Sequence, residues 1–142
     1  MKLRFSALAA LSGLCLVVSG PLQAKTIHFA AALKGASEVP PNTTPGKGTV
    51  KATLNTNTRA YTYTITYSGL TGSAMAAHFH GPAAAGSNAP PVITVKDLTS
   101  PIKGTAVLTA SQMKELQAGM WYFNVHTKAN PSGEIRGQLT AP

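Results

Sequence analysis

A strict alternation of apolar and polar side chains marks one segment near the middle of the chain. Its apolar positions are Tyr61, Tyr63, Ile65 and Tyr67, with threonines between them. Side chains two positions apart lie on the same face of a β-strand, so residues 61–67 predict a strand with one buried and one solvated face. Residues 50–54 alternate in the same way, and the Asn-Thr-Asn-Thr run at 55–58 is typical of a turn. The two segments therefore predict an antiparallel hairpin.

Further short strand-like segments follow, separated by turns rich in glycine and proline. The predicted strands lie at 26–33, 74–80, 92–96, 103–108, 120–127 and 133–140. One short helix is predicted at about 110–118, because Thr109 and Gln112 have the spacing of a capping box and Gly119 can end the helix. About eight short strands with frequent turns indicate an all-β fold. We expect a Greek-key-like antiparallel β-sandwich or flattened barrel.

The first two dozen residues differ from the rest. Lys2 and Arg4 precede an apolar run at residues 5–18, and Ala24 offers a small residue to signal peptidase. The apolar run is shorter than the roughly 20 residues of a membrane-spanning helix. We therefore predict a signal peptide at 1–24, cleaved after Ala24, and a periplasmic or extracellular domain at 25–142. No transmembrane segment is expected in that mature form.

Composition excludes several kinds of chemistry. The single cysteine, Cys15, lies in the predicted signal peptide, so we expect neither a disulfide nor a cysteine-bound metal in the exported domain. The chain has four Asp and Glu and twelve Lys and Arg, which gives a formal net charge of +8. So few carboxylates make a calcium or magnesium site unexpected. The basic residues are scattered and an exported protein meets little nucleic acid, so no nucleic-acid partner is predicted.

Three of the four histidines fall on two predicted strands. His78 and His80 are two positions apart and share a face, whereas Phe79 points to the core. The apolar face of the strand at 120–127 carries Trp121, Phe123 and Val125. His126 therefore lies on the opposite face, and a surface site could gather all three imidazoles. Neutral imidazoles suit Cu(II) and Zn(II), and the affinity order favours copper. The pattern predicts a metal site of His78, His80 and His126.

A plainer interpretation stays open. The histidines could be polar residues on a solvated face, with His126 making a structural hydrogen bond near a turn. His28 is expected at the surface, outside any site. Glu134 and Arg136 share a predicted strand face and are expected to pair, and Glu38 is expected to accept backbone amides. No catalytic residue is predicted, because no Gly-x-Ser-x-Gly motif exists and no carboxylate stands near a histidine in sequence.

Several short motifs occur together in one known domain family. They are GASEVPP at 35–41, YSGL at 67–70, AHFHGPA at 77–83, NVHT at 124–127 and NPSGEIRGQ at 130–138. In combination they resemble the CHRD domain, named from chordin and common in exported bacterial proteins. The resemblance runs from about residue 26 to residue 140. It implies no defined biochemical role, and the growth-factor antagonism of chordin does not carry over.

A second resemblance concerns the histidines. The His-x-His strand followed by Val-His-x-Lys-Ala-Asn at 125–130 is similar to the copper-ligand pattern of Cu/Zn superoxide dismutases. That similarity implies His78, His80 and His126 as copper ligands on the outside of a Greek-key barrel. Residues 81–91 contain no histidine or aspartate, so the bridging and zinc ligands of those enzymes are missing.

The disulfide of the superoxide dismutases is also missing, and Arg136 does not have the spacing of their anion-guiding arginine. The leading hypothesis is an exported CHRD protein that binds copper for holding, delivery or protection of the metal. One alternative is a metal-free module that binds a protein or glycan of the cell envelope, and another is a plain structural domain. A copper-only enzyme similar to superoxide dismutase is the least favoured.

Overall fold

The computed structural model describes residues 24–142, so the predicted signal peptide lies outside the described residues except for Ala24. Eight antiparallel strands form a nearly closed barrel with one short α-helix. The strands are β1 (Thr26–Lys34), β2 (Lys47–Asn55), β3 (Ala60–Ser68), β4 (Ala74–His80), β5 (Pro91–Thr94), β6 (Ile102–Val107), β7 (Tyr122–Thr127) and β8 (Ile135–Gln138). The helix α1 spans Ala110–Gln117, and a 3-10 turn, Gly35–Ser37, follows β1. The predicted all-β class is confirmed.

The first three strands form a meander whose faces follow the predicted alternation. Val50 lies opposite Ile65 and Leu54 lies opposite Tyr61, and all four side chains are fully buried. The threonines between them point outward, since successive side chains of a strand face opposite sides. Arg59 takes a left-handed φ of 62° in the turn between β2 and β3. The predicted hairpin is therefore confirmed.

The order of the strands gives the barrel its Greek-key character. Around the sheet the order is β5-β4-β7-β8-β1-β2-β3-β6. After β3 the chain crosses to the far end of the sheet for β4 and β5, and then returns to β3 for β6. Strands β7 and β8 fill the space between β4 and β1, where Lys34 lies opposite Arg136. This late insertion makes β7 the direct neighbour of β4.

A cluster of aromatic rings fills the barrel under β4 and β7. The ring centroids of Phe79 and Phe123 are 4.8 Å apart, those of Tyr61 and Phe79 are 5.5 Å apart, and those of Tyr61 and Trp121 are 6.1 Å apart. Phe79, Trp121, Phe123 and Val125 are all fully buried, as predicted. The apolar faces of β4 and β7 are thus fixed inward, and their alternate residues have to point outward.

The helix begins where the sequence predicts. The Gln112 amide donates to Thr109 Oγ1 at 3.1 Å, and the Thr109 amide donates to Gln112 Oε1 at 2.9 Å. This reciprocal pair is the predicted capping box. Leu116 packs the helix onto the core. Among residues 24–142, no helix is long and apolar enough to cross a membrane.

Candidate metal site

Three histidines converge on the outer face of β4 and β7. In the β4–β7 ladder His78 lies opposite Asn124 and Ala76 lies opposite His126. His78 and His126 are therefore diagonal neighbours, while His80 is two positions along the same face of β4. One nitrogen from each of His78, His80 and His126 lies within 4.8 Å of the others, an arrangement that could hold a metal ion. The predicted adjacency of the two histidine strands is confirmed.

The distances between the candidate nitrogens can be compared with those of histidines that bind one metal ion. Two imidazole nitrogens bound to one ion at about 2.0–2.1 Å each lie at most about 4.2 Å apart. The widest pair of candidate nitrogens therefore has to approach by at least about 0.6 Å before one ion can bind both. His78 Nδ1 and His126 Nε2 are already 3.2 Å apart.

Backbone carbonyls select which nitrogen two of the rings can offer. His126 Nδ1 donates to the Pro131 carbonyl at 2.9 Å, and His80 Nδ1 donates to the Ala89 carbonyl at 2.8 Å. A ring that donates through Nδ1 keeps its lone pair on Nε2 when it is neutral. Metal-bound histidines are oriented by this kind of second hydrogen bond. The Nε2 of His126 thus faces His78, whereas the Nε2 of His80 lies 3.0 Å from the Asn124 side-chain oxygen.

His78 is the third ring of the cluster and contacts His126 directly. Its Nδ1–H can donate to the lone pair of His126 Nε2, so an ion would replace this hydrogen bond. Burial, His126 and His80 lower the pKa of His78 below its usual range. Burial also lowers the pKa of His80, and it outweighs the opposing hydrogen bonds to Ala89 and Asn124. Both rings therefore favour the neutral form that a metal needs.

A stack of flat side chains closes the inner side of the cluster. The His80 ring lies parallel to the Tyr122 ring, with centroids 4.7 Å apart and planes at 2°. The Arg136 guanidinium carbon lies 3.4 Å from the centroid of the Tyr122 ring. The Ala89 amide also donates to the Tyr122 hydroxyl at 3.2 Å. His80 is held from two sides and is only 8 % exposed.

The loop at 81–90 covers this stack and is fastened by Arg136. The guanidinium donates to the Ser87 carbonyl at 2.5 Å and to Asn88 Oδ1 at 2.8 Å. Asn88 in turn donates to the Val39 carbonyl at 3.1 Å. The face of β7 that was predicted to be a wet surface is therefore mostly buried. His78 and His126 stay half-buried, and only this end of the cluster opens outward.

A buried carboxylic acid stands behind the cluster. Glu38 is 5 % exposed, and its Oε1 has no hydrogen-bond partner among the described residues. Burial raises the pKa of Glu38 to about 7, against the lowering effects of Arg136, Asn124 and the Val39 amide. The Asn124 amide oxygen lies 3.0 Å from His80 Nε2. Asn124 thus connects Glu38 to a candidate ligand, and ligation through Nε2 has to displace its contact.

The expected pairing of Glu134 with Arg136 is wrong. Glu134 instead accepts four hydrogen bonds, from the hydroxyls of Thr44, Thr71 and Thr127 and from the Thr71 amide, at 2.5–2.7 Å. Burial opposes ionisation of Glu134, but these bonds outweigh it and lower the pKa to about 2. The side chain joins three distant segments beside the histidine cluster, a role that strand periodicity alone does not reveal.

The remaining histidine lies apart from the cluster. His28 is exposed on β1 opposite Thr53, in the meander. This position agrees with the predicted surface location.

The buried wall of the cluster consists of Tyr122, Asn124 and Arg136 and was not predicted from the sequence, although strand alternation carries a signal for it. Arg136 lies opposite Asn124, which lies opposite His78, so all three share one row across the sheet. Tyr122 lies opposite His80 in the next row. Once the strand order is known, the same alternation that predicts the histidine face also assigns Tyr122, Asn124 and Arg136 to it.

One of three comparisons with known proteins identifies a family for this chain. The CHRD domain profile matches residues 29–139. Neither curated proteins nor solved structures gave a significant match. The matched region runs from β1 past the end of β8, and it contains the three histidines and the residues that wall them in. The chain therefore belongs to the CHRD domain family.

Proposed function

We propose that this chain is an exported CHRD protein that binds one copper ion through His78, His80 and His126. Its role is to hold, deliver or protect the metal outside the cytoplasm. The observation that carries the proposal is the convergence of three imidazole nitrogens within 4.8 Å. Two of these rings are already oriented by carbonyls that accept from Nδ1.

The chemistry of the donors favours copper over other ions. All three donors are imidazole nitrogens, and no carboxylate belongs to the cluster. Oxygen-preferring ions such as Ca(II) and Mg(II) are therefore poor candidates. Among divalent ions at a nitrogen site, Cu(II) binds most tightly in the general affinity order. His78, His80 and His126 would hold the ion, and a vacant position on it would supply Lewis-acid or redox chemistry.

The proposal does not extend to superoxide dismutation. Arg136 is 2 % exposed, and its guanidinium is engaged by Ser87 and Asn88. It is thus not placed to guide an anion from solvent to the ion. The loop at 81–90 also contributes no second set of ligands. Binding and transfer of copper fit these features better than turnover of superoxide.

The test is a Cu(II) titration of the exported protein without an affinity tag. We expect one ion per chain and a higher melting temperature with copper, because a ligand that binds only the folded state stabilises it by mass action. The triple variant His78→Ala, His80→Ala, His126→Ala should lose this binding. His28→Ala is the matched control and should bind as the parent does.

Two outcomes would count against the proposal. If the triple variant binds copper as tightly as the parent, the cluster is not the site. If the parent binds neither Cu(II) nor Zn(II), a metal-free module that recognises a protein or glycan becomes the better hypothesis. Metal analysis of protein purified from the periplasm then identifies the ion that is bound in the cell.

A further inference from the structure

A methionine is exposed beside the histidine cluster. Met75 is 65 % exposed, and Val107 is the other large apolar side chain of residues 24–142 that is exposed. Met75 lines the same groove as His78 and His126, which has a volume of about 470 Å³. The thioether of Met75 therefore lies on the open side of the histidine cluster.

A β-bulge accounts for the direction of Met75. Ala77 and Phe79, which share its parity on β4, are fully buried. The ladder shifts register between Ala74 and Ala76, which lie opposite Thr127 and His126. Met75 is thus the extra residue of the bulge, and a bulge redirects the side chain that it carries. A regular strand would have turned this methionine into the core.

We propose that Met75 is an additional ligand that allows the site to hold Cu(I), a proposal that rests on the proposed copper function. A thioether is a soft donor that selects Cu(I), whereas imidazole serves both oxidation states. The flexible methionine side chain can reach several positions from one backbone site. Met75 adjoins the open side of the cluster at His78 and His126, so it can join an ion there without disturbing the buried wall.

The test compares both oxidation states in a single conservative variant. Met75→Leu in the exported protein keeps the apolar character and nearly the volume of the side chain. Cu(I) affinity is measured anaerobically against the chelator bicinchoninate, and Cu(II) affinity is measured by competition with glycine. Met75→Leu should weaken Cu(I) binding by about 10-fold or more, a size typical for the loss of a supporting group at a metal site. Cu(II) binding should change by less than about 2-fold.

Two controls make the result specific. Met113→Leu on α1 removes a thioether that is packed against the core and should leave both affinities unchanged. X-ray absorption of the Cu(I) protein should show a sulfur neighbour that disappears in Met75→Leu. An unchanged Cu(I) affinity, an equal loss for both oxidation states, or a nitrogen-only Cu(I) spectrum would overturn the role of Met75.

The two proposals fail in distinguishable ways. If Cu(II) binding requires the three histidines but Cu(I) binding is indifferent to Met75, only the role of Met75 is wrong. If the triple histidine variant retains Cu(II) binding, the copper site itself is wrong and the role of Met75 falls with it.

Discussion

His78 Nδ1 lies 3.2 Å from His126 Nε2, although 48 residues separate them in the chain. Their contact exists because β7 is inserted beside β4 rather than at the edge of the sheet. The two rings share one hydrogen bond, which a metal ion bound by both nitrogens would replace.

The first prediction concerns the pH dependence of copper affinity. Ligation requires neutral imidazole, and burial lowers the pKa of His78 and His80 below the usual value of about 6.5. Protonation of these two rings should therefore weaken copper binding only below pH 6.5. Competition titrations between pH 8 and pH 5 measure this. A decline centred above pH 6.5 would contradict the neutral state inferred for the two rings.

A second prediction follows from the raised pKa of Glu38. The folded state keeps this proton up to about pH 7, whereas the unfolded chain releases it near pH 4.5. The contribution of Glu38 to stability is thus complete below pH 4.5 and falls as pH rises toward 7, by about 3 kcal/mol in total. Glu38→Gln should remove this fall. Urea unfolding of the parent and of Glu38→Gln at pH 5 and pH 8 tests this prediction. If the free energy of unfolding changes between the two pH values by the same amount in both proteins, the prediction is refuted.

Glu134 should act in the opposite direction and at lower pH. Its folded pKa of about 2 lies below the unfolded value of 4.5, so its contribution is complete above pH 4.5 and is lost toward pH 2. Glu134→Gln should cost about 2–3 kcal/mol at pH 7, because the variant loses charge-assisted hydrogen bonds. Unfolding curves should also show less acid sensitivity between pH 4.5 and pH 2. A loss of stability below about 0.5 kcal/mol would mean that the threonine hydroxyls do not stabilise the charged form of Glu134.

The core under the cluster gives a fourth prediction. Phe123 is fully buried against Phe79, so Phe123→Ala should lower the free energy of unfolding by about 3–5 kcal/mol. Val107→Ala is the control, since Val107 is 71 % exposed and should change stability by no more than about 0.5 kcal/mol. Thermal or chemical unfolding distinguishes the two. Similar effects at both positions would show that the inward facing of β7 is wrong.

The last prediction concerns export. Cleavage after Ala24 should give a mature chain that begins at Lys25 and carries no lipid. Intact-mass measurement of the protein recovered from the periplasm or medium tests both points. A lipidated form that retains Cys15 would contradict the predicted cleavage site.

The strand pattern and the outward facing of the three histidines could be predicted because they depend on local periodicity. Alternation assigns the faces of β3, β4 and β7, and it places His78 and His80 side by side without knowledge of the fold. The covering of the site could not be predicted in this way. The loop at 81–90 has no periodic pattern, and Arg136, which fastens it, lies 48 residues beyond Asn88.

The threonine ligands of Glu134 illustrate the same limit. The three threonines come from separate segments of the chain. Nothing in the sequence around them indicates that the Glu134 carboxylate turns away from Arg136. The Glu134 amide donates to the Val125 carbonyl, and β8 begins only at Ile135, so the strand expected from residue 133 starts two residues later. The side chain thereby leaves the face that Arg136 occupies.

Among the described residues, the wall behind His80 closes the inner side of the cluster and leaves its outer side open. Tyr122, Arg136 and the loop at 81–90 block approach from the inner side, while His78 and His126 border the open groove. An ion that entered from the groove would meet His78 and His126 before His80, and a departing ion would leave His80 first. If the domain binds copper as proposed, a protein that exchanges the metal with it would have to dock over the outer face of β4 and β7 and take over the ligands in sequence.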